Sequence, residues 1–216
     1  MTLLRHLHRP FVAPFALAFA MALPGSPASA HPSHAEPIAA ARHQALGSTV
    51  TVRGTVTVQS NAFDPGFAIQ QGASGIYILE AASSARTPGE EVEVTGTLVD
   101  SFGLLAIQPT SITAHGRGQH IQPRKLSTGS IGEATEGRMF TLEGDMVGDV
   151  VDDGPFGFKL EIDDGSGAVQ LFIYPGTGIT TAGLHDGVSI KVVCFSNQFD
   201  THYECDPRSP ADLEID

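Results

Sequence analysis

The stretch LEIDDGSGAVQLFI, Leu160 to Ile173, reads in two ways. Its adjacent carboxylates, Asp163 and Asp164, suggest a metal or catalytic site. Its alternation of apolar and polar residues around Gly165-Ser166-Gly167 suggests a strand, a turn and a second strand. A twin decides between them. FAIQQGASGIYI, Phe67 to Ile78, keeps the glycine, the spacing and the alternation, but carries Gln70 and Gln71 where the carboxylates stand. The carboxylates are therefore not needed to make the structure, and the stretch is a hairpin signature first. Neighbours on a strand end also point to opposite faces, so Asp163 and Asp164 do not converge on one substrate.

The likeness extends outward from the two hairpins. Helical periodicity is nearly absent, and alternating runs rich in Val, Ile, Thr and Phe recur between Gly, Pro and Asp. One set is TVTVRGTVTV (49–58), FAIQQ (67–71), GIYIL (75–79), EVEVTGTLV (91–99) and LLAIQ (104–108). The other is RMFTLEGDMV (138–147), FGFKLEID (156–163), AVQLFIY (168–174), VSIKVVCF (188–195) and THYEC (201–205). Val52 aligns with Leu142 at an offset of 90, Ile69 with Ile162 at 93 and Val92 with Val188 at 96. Repeated strands joined by loops that tolerate insertion give such a growing offset. Both copies close on a Pro-led segment, PTSIT (109–113) and PADLEI (210–215).

Five strands per copy leave unpaired edges as a flat sheet, and a small Greek-key barrel removes them. Gly54 and Gly144 in the two first strands allow the bend by which one strand serves both sides of a barrel. The order strand–Gly–strand, then [FL]-x-I-x-[DQ]-G-x-x-x-[IV]-x-[IV], then V-x-V-x-G and a Pro-led end, resembles the OB-fold. More narrowly it resembles the OB-type domains of bacterial exported nucleases and related periplasmic OB-fold proteins, over 44–116 and 134–216. The expected fold is all-β, two tandem five-stranded Greek-key barrels after a cleaved signal peptide. The expected divisions are a signal peptide at 1–30, a disordered tail at 31–43, barrel 1 at 44–116, a linker at 117–133 and barrel 2 at 134–216.

The ends and the charge set further bounds. Arg5 and Arg9 precede the apolar run FVAPFALAFAMAL (11–23), which leads to PGSPASA with Ala28 and Ala30. This is the pattern of a secretory signal cleaved after Ala30, and the run is short of the roughly 20 residues a membrane span needs. A periplasmic or secreted protein is expected, with no membrane insertion. Cys194 and Cys205 then read as a disulfide. Losing Arg5 and Arg9 takes the net charge from −12 to about −14, which argues against a generic polyanion binder. The charge is uneven, with 6 basic and 7 acidic residues in 31–127 against 4 and 17 in 128–216.

Chemistry of a catalytic kind is missing from the pattern. There is no G-x-S-x-G, H-E-x-x-H or Walker A motif, and the catalytic domain of the resembled nucleases has no room here. Neither a cofactor nor a metal site is expected. His31 and His34 in HPSHAEP could chelate copper at a freed N-terminus, although Pro32 removes an amide donor. Asp149, Asp152 and Asp153 in GDVVDDGP (148–155) lack the EF-hand spacing.

The resemblance places nucleic acid across the second and third strands, framed by the loops of strands one–two and four–five. Alternation puts Phe67, Ile69, Ile76 and Ile78 inside barrel 1 and Ala68, Gln70 and Tyr77 outside. Candidate contacts are Gln70 and Tyr77 on that face, Arg53 on the first strand, Asn61 and Phe63 in one loop and Phe102 in the other. Arg117, Arg124 and Lys125 in HGRGQHIQPRK add a basic cluster. The copy-2 counterparts, Lys159, Glu161, Gln170 and Phe172, form a face that repels phosphate. Single-stranded nucleic acid or an oligonucleotide at barrel 1 is the leading expectation. A structural or interaction module whose acidic barrel 2 docks a basic protein partner is the alternative, as is binding of a small cation.

Overall fold

The computed structural model describes residues 34–80 and 85–215. The expected signal peptide and His31 lie outside these residues.

A short helix α1 (Ile38–Ala41) precedes β1 (Thr49–Val58), β2 (Phe67–Gln71), β3 (Ser74–Ile78), β4 (Glu90–Ser101) and β5 (Leu104–Arg117). The strands close in the order β1-β2-β3-β5-β4, with β3 parallel to β5 and the other pairs antiparallel. β6 (Arg124–Lys125) follows, then β7 (Met139–Met146), β8 (Val151–Asp152), β9 (Phe158–Asp163), β10 (Val169–Ile173), β11 (Ser189–Phe199), β12 (His202–Asp206) and β13 (Leu213–Ile215). Here β7 pairs β9, β9 pairs β10, β10 runs parallel to β12, β12 pairs β11 and β11 returns to β7. The second ring therefore repeats the order of the first, and the expected all-β fold of two Greek-key barrels stands.

The two predicted glycines sit at the bends. Thr55, just after Gly54, pairs with both β2 and β4. Asp145, just after Gly144, pairs with both β9 and β11. Each barrel has its own core. Phe67, Ile69, Ile76 and Ile78 are fully buried in the first. Leu142, Leu160, Ile162, Leu171 and Val192 fill the second. Cys194 and Cys205 join β11 to β12 in a disulfide.

Two segments depart from expectation. The stretch 34–43 is not a disordered tail. Glu36 bridges β1, and α1 drops Ile38 and Ala41 into the core of barrel 1, both with no solvent exposure. Gln71 Oε1 accepts the Ile38 amide hydrogen at 3.1 Å and fixes the plug. The stretch 117–133 is likewise ordered. Gly118 lies against Thr55, β6 pairs with β7, and a 3-10 turn (Thr128–Ser130) packs beside β7 and β9. Asp164 accepts hydrogen bonds from the Thr128 hydroxyl at 2.9 Å and its amide at 3.3 Å, and Leu126 and Ile131 pack on the barrel 2 core. Gln71 and Asp164 occupy matching places in the twin hairpins and tie down the segment that precedes their own barrel.

Candidate nucleic-acid interface

The opening carboxylates are structural. Asp163 Oδ1 accepts the amides of Gly165 at 2.7 Å and Gly167 at 3.0 Å, closing the hairpin turn. Hydrogen bonds from Ser166 and Thr128 push the Asp164 carboxyl down to about 2. Asp163 is committed to its own turn, and Asp164 to Ser166 of that turn and to Thr128 of the preceding segment. Among the described residues no group of three or more His, Cys, Asp and Glu could hold a metal ion.

The predicted stacking platform is not a surface. Ala68, Gln70 and Tyr77 point out of barrel 1, but barrel 2 covers them. Val58, Ala68, Tyr77, Leu104 and Ala106 form one apolar cluster with Met139 and Phe195. Tyr77 is 3 % exposed; its hydroxyl donates to the Asp64 carbonyl at 2.8 Å and its ring lies 5.9 Å from that of Phe195. Gln70 Oε1 accepts the Met139 amide hydrogen at 3.2 Å. Phe63 also turns inward, against Tyr174 at 5.1 Å and Phe195 at 6.0 Å. Burying a tyrosine of this kind stabilises by about 1.5–3 kcal/mol, which a base stacked in its place has no access to.

Polar ties complete the junction. Arg42, beyond α1, pairs with the buried Glu136 at 2.8 Å, and Glu136 also accepts the Leu105 amide hydrogen at 3.3 Å. Burial still leaves the Glu136 carboxyl above its ordinary range. Arg208 donates to the Thr57 carbonyl at 2.6 Å, and Gln59 donates to the Arg208 carbonyl at 3.1 Å. At Gly75 and Gly137 the two backbones meet without a side chain between them. A Cβ on Gly75 would stand 1.9 Å from the Gly137 carbonyl oxygen.

Of the remaining candidates, Arg53 is committed to Glu93 at 3.1 Å and contacts His115. Asn61 is exposed at a left-handed turn with φ 61°. Phe102 stands 73 % exposed at the tip of the β4–β5 hairpin, stacked on Phe199 at 5.8 Å. The hairpin begins β5, whose 14 residues carry the chain roughly 40 Å before Arg117. The structure therefore keeps Phe102 apart from the basic cluster.

That cluster is where the geometry converges. The strap 118–123 crosses between the barrels with a cleft on each side. The larger, about 470 Å³, is lined by Thr55, Thr57, Arg117, His120 and Arg208, with Asp212 as its acid. Asp212 is already paired with Arg208 at 2.6 Å. The other, about 340 Å³, is lined by Gln70, Gln119, His120, Arg124 and Arg138 and, among the described residues, by no carboxylate. The Arg138 guanidinium lies 4.6 Å over the Phe140 ring. Burial lowers its proton affinity, and the nearby charges of Arg124 and Arg42 lower it further. Lys125 extends the row, paired with Glu143. Reading the sequence misses Arg138 and Arg208 because they sit in the acidic half of the chain. Only the strap, contributed by the less acidic half, brings them beside Arg117 and Arg124.

Barrel 2 leaves part of its counterpart face open: Glu161 is exposed and Lys159 and Gln170 are half-buried, while Phe172 is 7 % exposed. Gln170 pairs with Glu161 and Phe172 with Lys159 across β9 and β10. The nearby loop acids are engaged: Asp153 binds Lys159 at 2.8 Å, Asp152 caps Gly154 at 2.8 Å and Asp149 accepts the Asp186 amide hydrogen at 3.2 Å.

No family model matches the sequence, and no curated protein matches it. Among solved structures, the chain is similar to the tetrameric p202 HIN2 domain, at 14 % identity over 79 % of this chain and 94 % of that one, with a TM-score of 0.35. It is similar to a murine DNA-binding protein bound to double-stranded DNA, at 8 % identity over 76 % and 94 %, with a TM-score of 0.38. A third is the Ifi202 HINa domain in complex with 20-base-pair double-stranded DNA, at 10 % identity over 79 % and 96 %, with a TM-score of 0.33. The narrower resemblance to exported nucleases has no support from sequence comparison.

Proposed function

We propose that this chain is an exported, non-catalytic binding protein that takes a single-stranded nucleic acid or oligonucleotide along the two strap clefts. The observation that carries the reading is their charge. In a chain of net charge −12, these clefts gather Arg117, Arg124 and Arg138 together with the Arg208–Asp212 ion pair, so among the described residues their lining carries three arginines that no lining carboxylate offsets. Phosphate contacts of this kind supply sequence-independent affinity. The Arg138 guanidinium also offers a plane on which a base can stack. In this reading the nucleic-acid site moves from the face of barrel 1 to its edge, with Arg117, Arg124 and Lys125 retained and Gln70 lining one of the clefts. The disulfide supports an oxidising compartment and hence export. Among the described residues no helix is long and apolar enough to cross a membrane.

The test is binding of labelled single-stranded DNA and RNA across a salt series, for the protein and for Arg124→Ala/Arg138→Ala. Expected is affinity that falls with salt, and a double variant whose salt slope is shallower by about 0.7 for each phosphate no longer neutralised. Absence of binding at low salt sinks the reading. Binding that the double variant leaves intact moves the site elsewhere.

A further inference from the structure

Most positive charges on this chain are already engaged. Arg42, Arg53, Arg86, Lys125, Lys159, Lys191 and Arg208 each hold a carboxylate. The other arginines among the described residues are Arg117, Arg124 and Arg138. They form no ion pair there, and all of them line the strap clefts. Arg117 ends β5 and lines the larger cleft, while Arg124 and Arg138 line the other. Arg124 lies opposite Phe140 in register, and the Arg138 guanidinium sits over that same ring. Arg117 and Arg124 are exposed and Arg138 is half-buried. The cations next to this group are not free. Lys125 is held by Glu143, and Arg208 by Asp212.

We infer that the strap clefts are a receptor for short oligonucleotides, with one phosphate for each of Arg117, Arg124 and Arg138, and not a groove that coats a long strand. This rests on the nucleic-acid reading above and names its ligand class. Sequence-independent affinity comes from cations that neutralise phosphates and release their counterions. A strand running on past the clefts has to take Lys125 from Glu143 or Arg208 from Asp212, and each exchange leaves a bare carboxylate beside its own phosphates. A phosphate more than about 8 Å from a free cation is largely screened from it at physiological salt. The net charge of −12 repels such a phosphate. Length beyond these phosphates therefore adds no affinity. The division into two clefts also selects against compact polyphosphates. A triphosphate seated in one cleft meets Arg117 alone, or Arg124 with Arg138, whereas a strand whose phosphates are spaced by sugars reaches both.

The test is a length series. The intact protein is titrated by calorimetry, across a salt series, with a thymidine dinucleotide, tetranucleotide, octanucleotide and long oligothymidylate, and with tripolyphosphate. The tetranucleotide carries one internal phosphate for each free arginine. Expected is a per-site affinity that rises from dinucleotide to tetranucleotide and then stays within about threefold at every greater length, with a salt slope near −2, about −0.7 for each arginine. Arg117→Ala should make that slope shallower by about 0.7. Lys191→Ala removes a paired cation that lines neither cleft and should leave the slope unchanged. A further gain of about tenfold beyond the tetranucleotide, with a slope steeper than about −4, overturns the inference and leaves the nucleic-acid reading standing. Tripolyphosphate binding as tight as that of the tetranucleotide also overturns it, as does an equal loss of slope in the two variants. Absence of binding at every length in low salt overturns both the inference and the reading beneath it.

Discussion

The same face of the two barrels meets opposite fates. In barrel 1, Ala68 and Tyr77 lie across from each other on β2 and β3 and are sealed under barrel 2. In barrel 2, Glu161 and Gln170 hold the matching places on β9 and β10, and Glu161 reaches solvent. One face has become a junction and the other has stayed a surface. Strand order and the apolar character of the inward positions are shared, and the outward residues of these strands are where the chemistry differs. A barrel of this type can spend its strand-two and strand-three face on assembly and leave ligand binding to its edges.

The comparison is open to breakage, most severely at the glycine contact. Gly75→Ala forces a methyl group into the Gly137 carbonyl. Overpacking against backbone should cost more than about 4 kcal/mol, seen as loss of folded protein or a fall of many degrees in Tm. Next comes the matched pair Tyr77→Ala and Gln170→Ala. The first leaves a cavity at the junction and should cost about 3–5 kcal/mol in urea unfolding. The second removes the amide that donates to the buried Glu204 carboxylate at 2.7 Å and should cost about 1–3 kcal/mol, less than the first. Equal costs would mean that the two faces are not differently used.

Asp206→Asn sharpens the contrast through pH. Burial, then the neighbouring Glu204, push the Asp206 carboxyl well above its ordinary range. The folded state therefore binds this proton more tightly than the unfolded one. Its stabilising contribution is present below the unfolded value near 4 and is lost as pH rises toward the folded value. The asparagine variant escapes that loss. Tm should rise relative to wild type at pH 7, by an amount reflecting about 1–3 kcal/mol for an unsatisfied buried acceptor, and should match wild type near pH 4. The smallest effect belongs to Asp164→Asn. That carboxyl sits down near 2 through Ser166 and Thr128, so its contribution is present above the unfolded value and fades as pH falls toward 2. A slight loss of Tm at pH 7 that shrinks in acid is the expected result.

Much of the fold is legible in the chain. The two hairpins, the strand order that follows from them, the inward set Phe67, Ile69, Ile76 and Ile78, and the bends after Gly54 and Gly144 all follow from alternation and backbone geometry. What covers an outward face does not. Ala68, Gln70 and Tyr77 read alike as an exposed platform or as half of a junction, because parity reports the side of a strand and says nothing of its neighbour. The plug is hidden for another reason. Ile38 is an isolated large apolar residue in AEPIAAARHQ, on a helix of 4 residues, too short for a period to show. The strap reads as a linker for its polarity, yet its order comes from Gly118, β6 and Thr128 meeting partners far away in sequence.

The contact between Gly75 and Gly137 carries a consequence for how the two barrels can change over generations. Where side chains meet, growth on one side can be answered by shrinkage on the other. Here neither partner has anything left to give up. A substitution at either glycine has no complementary second-site repair, so this one point ties the histories of the two barrels together more tightly than any of the larger residues around it.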